Sequence, residues 1–265
     1  MRLASIASGS SGNCIYAGSD TTHILLDVGI SRKRTVEGLE KLGVSLSEID
    51  GIFITHEHSD HIQGLPVIAK QTQMPIYATR GTIAAIQAIP QCRCIDPERF
   101  VPVRADEKVR IKDLQIDPMT ISHDAAEPVA YRVYYGRKKA CVCTDLGCYT
   151  DYTVECLKDS DVLLLESNHD VNMLQVGRYP YPLKQRILGK KGHLSNVSSG
   201  QLLCRVLSDH MKAIFLGHLS AENNLPELAF ETVRVELMMA GCEYSPQDLP
   251  IIVAKRRELT NAVEF

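Results

Sequence analysis

Residues 52–63 read FITHEHSDHIQG and place three histidines and two carboxylates in six consecutive positions, His56-Glu57-His58-Ser59-Asp60-His61, directly behind the apolar run GIFIT. A chain leaving a buried strand tolerates so many ionisable groups only if they stay in water or neutralise one another around a bound cation. His56 and His58 would lie roughly 200° apart on a helix, so the segment is expected as a loop at a strand end that turns His56, His58, Asp60 and His61 inward. Imidazole and carboxylate together are the ligand set of zinc or a similar divalent metal. A solvated polar turn is the competing explanation, and it weakens as histidines accumulate in one short stretch.

Around this segment the pattern alternates strand and helix. RLASIA, NCIYAG and HILLDVG read as strands, with a Gly/Ser loop SGSSGN between the first two. RKRTVEGLEKLG has helical spacing closed by Gly43, GLPVIAKQTQ and RGTIAAIQAI read as helices, and residues 100–145 read as mainly β. DVLLLESN and KAIFLGHLS are buried strands, and 196–209 and 226–240 are helical. Polar motifs sit at the ends of apolar strands. With no repeat or linker in view, the chain is expected to form one α/β (α+β) domain over 1–265, sheets covered by helices.

Composition narrows the class. The 265 residues carry 45% hydrophobic and 23% charged residues with a net charge of -3, so bulk positive charge does not hold a polyanion here and any such site is local. No long apolar stretch follows a basic amino-terminal segment, and a cytoplasmic protein without a membrane partner is expected. The nine cysteines include no Cys-x-x-Cys pair, which fits reduced thiols rather than a disulfide framework or zinc finger.

THEHSDH resembles the His-x-His-x-Asp-His signature of the metallo-β-lactamase fold, a four-layer αββα sandwich with a metal site at one edge of its sheets. By that resemblance Asp27 is a structural aspartate near the site, His123 is a third histidine ligand, Asp145 in TDLG bridges two metals, and His218 in IFLGHLS is the last histidine. One metal would then take His56, His58 and His123, the other Asp60, His61 and His218. Two divalent ions, zinc first with manganese or iron as alternatives, suit ester, thioester or phosphodiester hydrolysis. Asp60 is expected to position the attacking hydroxide and accept its proton. His23, His169 and His210 match no ligand position, although His169 in ESNHD follows a core strand and could approach the site.

ESN and GKKGHLSN resemble the nuclease branch of the fold, which implies that His193 protonates the leaving oxygen and that Glu166 orients it. The segment from Gly177 to Asn196 carries Arg178, Lys184, Arg186, Lys190 and Lys191 with Tyr179 and Tyr181 and no acidic residue, and it is read as a loop that holds phosphates. Ser10 and Asn13 of SGSSGN are further phosphate-binding candidates. Taken together, HEHSDH, SHDA, TDLG, ESNHD, GRYP, GHLSN and HLSAENN resemble the YycJ (WalJ) family, bacterial proteins regarded as nuclease-like. The implied substrate is DNA rather than RNA, cut by hydrolysis from a 5′ end. The 61 residues between His61 and His123 leave little room for the long arm of tRNA 3′-processing enzymes. The 47 residues after His218 are too few for the helical domain of glyoxalase II proteins. A small ester or thioester hydrolase and a non-catalytic metal-binding regulator of bacterial signalling are the alternatives; Asp60, Asp145 and His193 speak for turnover.

Overall fold

Consecutive apolar residues in HILL and VLLLE point alternately to opposite faces, so each such strand must be covered on both sides. The computed structural model, which describes residues 1–241 and 250–265, provides that cover. Strands β1 (Arg2–Ala7), β2 (Cys14–Gly18), β3 (His23–Leu26), β4 (Gly51–Phe53), β5 (Ile76–Thr79) and β6 (Phe100–Val103) form one sheet. Strands β7 (Val109–Ile111), β8 (Leu114–Thr120), β9 (Val129–Tyr135), β10 (Lys138–Cys143), β11 (Val162–Glu166), β12 (Ala213–Gly217) and β13 (Ile251–Val253) form the second. The short β14 (Val263–Glu264) returns to pair antiparallel with β1. In each sheet an antiparallel portion gives way to parallel neighbours, β3 to β6 and β10 to β13.

The alternation sorts the core into three layers. Ile24, Leu26, Phe53, Val162, Leu164 and Phe215 face the space between the sheets. Leu25 and Ile52 face outward against Leu39 of α1 (Arg32–Lys41), Ile68 of α3 (Leu65–Gln71) and Ile86 of α4 (Arg80–Ala88). Leu163 and Leu165 face the other way, against Val154 of α5 (Asp151–Leu157), Leu202 of α8 (Asn196–Val206) and Val233 of α9 (Pro226–Met239). The result is the αββα arrangement expected from the sequence.

Two local expectations need correction. Asp60 and His61 are not on an open loop: they lie in the one-turn helix α2 (Ser59–Ile62), and only His56 and His58 precede it. The basic segment, which follows α6 (Val171–Val176), is not a loop throughout, because α7 (Tyr181–Leu188) folds within it. Pro180 and Pro182 sit where an N-terminal helical turn needs no N–H donor, which is why a proline-rich stretch starts a helix here.

Candidate metal centre

The site collects at the carboxyl ends of the parallel strands, where both sheets release their chains toward the same edge. Asp27 follows β3, Asp145 follows β10 and His218 follows β12. These three have φ of 60°, 59° and 56°, half of the six non-glycine residues with positive φ among the described residues. Left-handed backbone costs a non-glycine residue free energy that the surrounding structure must offset, and its concentration here marks a site built for placement rather than stability. Inter-sheet bonds fix the same edge: the Tyr131 hydroxyl donates to the Ile54 carbonyl at 2.8 Å and the Val129 N–H to that of Thr55 at 3.1 Å.

His58 Nδ1 stands 3.1 Å from His56 Nε2 and 3.2 Å from His123 Nε2. The far nitrogens decide what those near ones carry. His56 Nδ1 faces the Thr55 hydroxyl at 3.0 Å, and His123 Nδ1 donates to the Gly192 carbonyl at 3.1 Å. With a proton on each Nδ1, the Nε2 atoms of His56 and His123 present lone pairs to the same point, an arrangement that repels unless a cation is shared.

Asp60, His61, Asp145 and His218 form a second group within 4.8 Å. His61 Nδ1 donates to Asp27 Oδ2 at 2.7 Å, and Asp27 is itself held by the Thr55 N–H at 2.8 Å and hydroxyl at 2.9 Å. His61 Nε2 then lies 3.1 Å from Asp145 Oδ2 and 3.4 Å from Asp60 Oδ2. Asp145 Oδ1 is 3.7 Å from His123 Nε2 and 3.5 Å from His218 Nδ1, so this carboxylate stands between the two groups. Its Oδ2 is buried without a properly directed hydrogen bond.

Glu166 is fully buried beneath both histidines that flank Asp145. Its Oε1 accepts from His193 Nδ1 at 2.8 Å and from His218 Nδ1 at 2.7 Å, while Oε2 accepts the N–H groups of Leu146 at 2.7 Å and Leu194 at 3.1 Å. The expected Glu166–His193 contact is therefore present, and Glu166 also fixes the ring of His218, a link the sequence did not signal. The His193 side chain, 17% exposed, keeps Nε2 for other partners.

The charges are distributed accordingly. Burial opposes charge on His61, yet Asp145, Asp27 and Asp60 hold its pKa well above the usual imidazole range. His218 is likewise driven up to about 10, against burial, by Asp145, Asp60 and Glu166. Burial would raise the Glu166 carboxyl, but His193 and His218 bring it down to about 2. Asp145 is held well below the carboxylate range by His218 and His61, also against burial. For His56, burial and then the neighbouring His61 charge push the pKa well down. Positive charge is thus demanded where the carboxylates converge, and neutral nitrogen is presented beside it. This donor set fits divalent cations.

Other candidates fall elsewhere. The Glu57 carboxylate turns away to accept the Ala126 N–H at 2.8 Å. Asn13 is buried, with its amide Nδ2 3.4 Å from Asp60 Oδ2 and 3.2 Å from His61 Nε2, so it braces the acidic turn; Ser10 stays exposed at the loop tip. Arg186 is engaged by Asp124 at 2.5 and 3.1 Å, and Lys184 donates to the Gln175 carbonyl at 2.7 Å, whereas Lys190 and Lys191 flank the turn that delivers His193. His169 is buried beside Asn168, outside both groups. Thr55 and Gly29 were supporting residues that sequence reasoning missed, as was the bracing contact of Asn13: an ideal Cβ on Gly29 would overlap the Asp60 carbonyl.

A model described as the beta-lactamase superfamily domain matches residues 22–212. Across 241 residues the chain is 37% identical to exodeoxyribonuclease YycJ of Bacillus anthracis, covering 91% of this chain and 90% of the relative. The chain belongs to the YycJ/WalJ family of the β-lactamase superfamily. Exodeoxyribonuclease WalJ of Streptococcus pneumoniae serotype 2 (strain D39 / NCTC 7466) is 37% identical over 235 residues, with 89% and 87% of the two chains covered. The crystal structure of the metallo-β-lactamase fold protein YhfI from Bacillus subtilis superposes with a TM-score of 0.71 at 15% identity over 98% of each chain, a likeness of fold. The family's fold and the two donor groups together support use of divalent metal in this YycJ/WalJ member. Among the described residues no helix is long and apolar enough to cross a membrane.

Proposed function

We propose that this YycJ/WalJ member is a cytoplasmic, metal-dependent exodeoxyribonuclease, one domain over residues 1–265, that hydrolyses DNA phosphodiesters from a 5′ end. The observation that carries the reading is the buried Glu166 tied at 2.8 Å to His193 and at 2.7 Å to His218, which couples a proton donor to the candidate metal centre. The exodeoxyribonucleases at 37% identity support the reaction class. His56, His58 and His123 would hold one ion and Asp60, His61 and His218 a second, with Asp145 between them; zinc is the first assignment, manganese and iron the alternatives. Such ions supply Lewis acidity and lower the pKa of water.

The protein's own residues then divide the remaining work. Asp60, whose side chain is 22% exposed, directs Oδ2 to the centre and accepts the proton released from the attacking water. His193 is held by Glu166 through Nδ1, which leaves an Nε2 proton for the leaving 3′ or 5′ oxygen as the P–O bond breaks. Asp27 and Thr55 fix His61 in the tautomer that faces Asp145.

The test is incubation of metal-loaded protein with duplex and single-stranded DNA and RNA labelled at either end, beside Asp60→Ala. We expect DNA shortened from the 5′ end, slower loss of RNA, and an inactive variant. Cleavage no faster than that of Asp60→Ala with zinc, manganese or iron would remove the nuclease reading.

A further inference from the structure

Lys255, Arg256 and Arg257 form a run of three cations that motif analysis of the chain passes over, because it lies far in sequence from every ligand. The fold places it beside the site. Strand β13 is parallel to β12, and the Ala254 N–H donates to the Leu216 carbonyl at 2.8 Å, so the chain leaves β13 at the same edge at which β12 releases His218. The Lys255 carbonyl accepts the Ser8 N–H at 3.1 Å, and the Ser8 hydroxyl accepts that of His218 at 2.9 Å. Arg256 donates to the Ser220 carbonyl at 2.8 Å, and its aliphatic stem covers Gly9, where any Cβ would overlap it. Gly9 in turn donates to Asn13 Oδ1 at 3.0 Å, and Asn13 braces Asp60.

These residues line an open groove of about 610 Å³ that also touches Ser11, Leu219 and Asn224. Lys255 and Arg257 are exposed, and among the described residues Glu258, 3.3 Å from Lys255, is the one carboxylate on its rim. Burial and the neighbouring Arg257 lower the pKa of Arg256. On the opposite flank, near His123, the Arg186 guanidinium is already engaged by Asp124. In a chain of net charge -3, a polyanion must find its cations locally, and this groove offers exposed ones on the His218 side as Lys190 and Lys191 do on the His193 side.

We propose that the groove lined by Lys255, Arg256 and Arg257 binds the phosphates of the substrate DNA strand adjacent to the scissile bond, on the His218 side of the metal centre. The assignment rests on the nuclease reading for its ligand, but the groove can be tested without turnover. Arg256 positions the groove through Ser220 while Lys255 and Arg257 meet phosphate.

The experiment is fluorescence anisotropy with a labelled twelve-nucleotide single strand and full-length, metal-free protein, wild type against Lys255→Gln/Arg257→Gln and against the single Arg257→Gln. Thermal melts establish that each is folded, and both positions are exposed. Losing two phosphate contacts should weaken binding about five- to tenfold near 0.1 M salt and reduce the slope of log K against log salt by about 1.4, from ~0.7 per contact on a single strand; the single variant should lose about half of that slope. Unchanged affinity and slope in both variants, or no binding by the wild type, overturns the proposal. Binding by the metal-free protein together with no cleavage by the metal-loaded protein would instead overturn the nuclease reading and leave the groove standing.

Discussion

Glu166 joins two imidazoles through one oxygen and two backbone N–H groups through the other. In Glu166→Gln one face must become an NH₂ group that meets donors, leaving buried N–H groups or ring nitrogens unpaired at about 1–3 kcal/mol each. We expect a lower melting temperature together with a 10–100-fold loss in metal affinity or turnover, the usual size when a ligand's outer partner is removed; calorimetry and metal titration read both. His193→Ala should behave differently, keeping metal content while kcat falls by about 10²–10⁴, the contribution of a positioned acid. His169 tests a shift in which burial is the largest cause. Burial lowers its pKa to about 4, below the ordinary 6.5, so the unfolded chain takes up its proton first and the folded state loses stability as pH falls from about 6.5 toward 4. Urea unfolding at pH 7 and pH 5 should show wild type losing about 2 kcal/mol more than His169→Gln; equal losses would contradict a buried neutral imidazole.

At the scale of elements, the site depends on how the Gly/Ser loop, the strand ends and α2 touch. Gly29 leaves just enough room for the Asp60 carbonyl and the Asn13 N–H, which are themselves bonded at 2.8 Å. Gly29→Ala should therefore displace the turn bearing Asp60 and His61, costing about 1–3 kcal/mol of stability and weakening metal retention in equilibrium dialysis against chelator. Such a contact is not legible in sequence, because it joins residues 13, 29 and 60 through backbone atoms whose spacing no side-chain pattern encodes. The strands were legible for the opposite reason: HILL and VLLLE alternate between two buried faces, and period-2 alternation is a side-chain property. Helix α7 escaped notice because YPLKQRIL shows basic residues and prolines before it shows an apolar stripe, with Ile187 its one buried residue.

For the whole molecule, two similar sheets bring strand ends from both halves to one edge, and this accounts for a site drawn from residues as far apart as Asp27 and His218. HEHSDH announced metal chemistry by itself, since six adjacent residues supply four donors. His123, Asp145, Glu166, His193 and His218 were recognisable through resemblance in their order along the chain, and their convergence required the fold. The basic run after β13 was missed because nothing local distinguishes it from a solvated tail; only the parallel pairing of β12 and β13 gives it a position. The central claim is that this edge holds two divalent ions in the two donor groups that share Asp145. Metal content per chain, measured by inductively coupled plasma mass spectrometry after loading with zinc or manganese and removal of free ion, tests it most directly. The account expects close to two ions in the wild type and fewer than one in a folded Asp145→Ala variant; a wild type that retains none, or a variant that retains two, would contradict it.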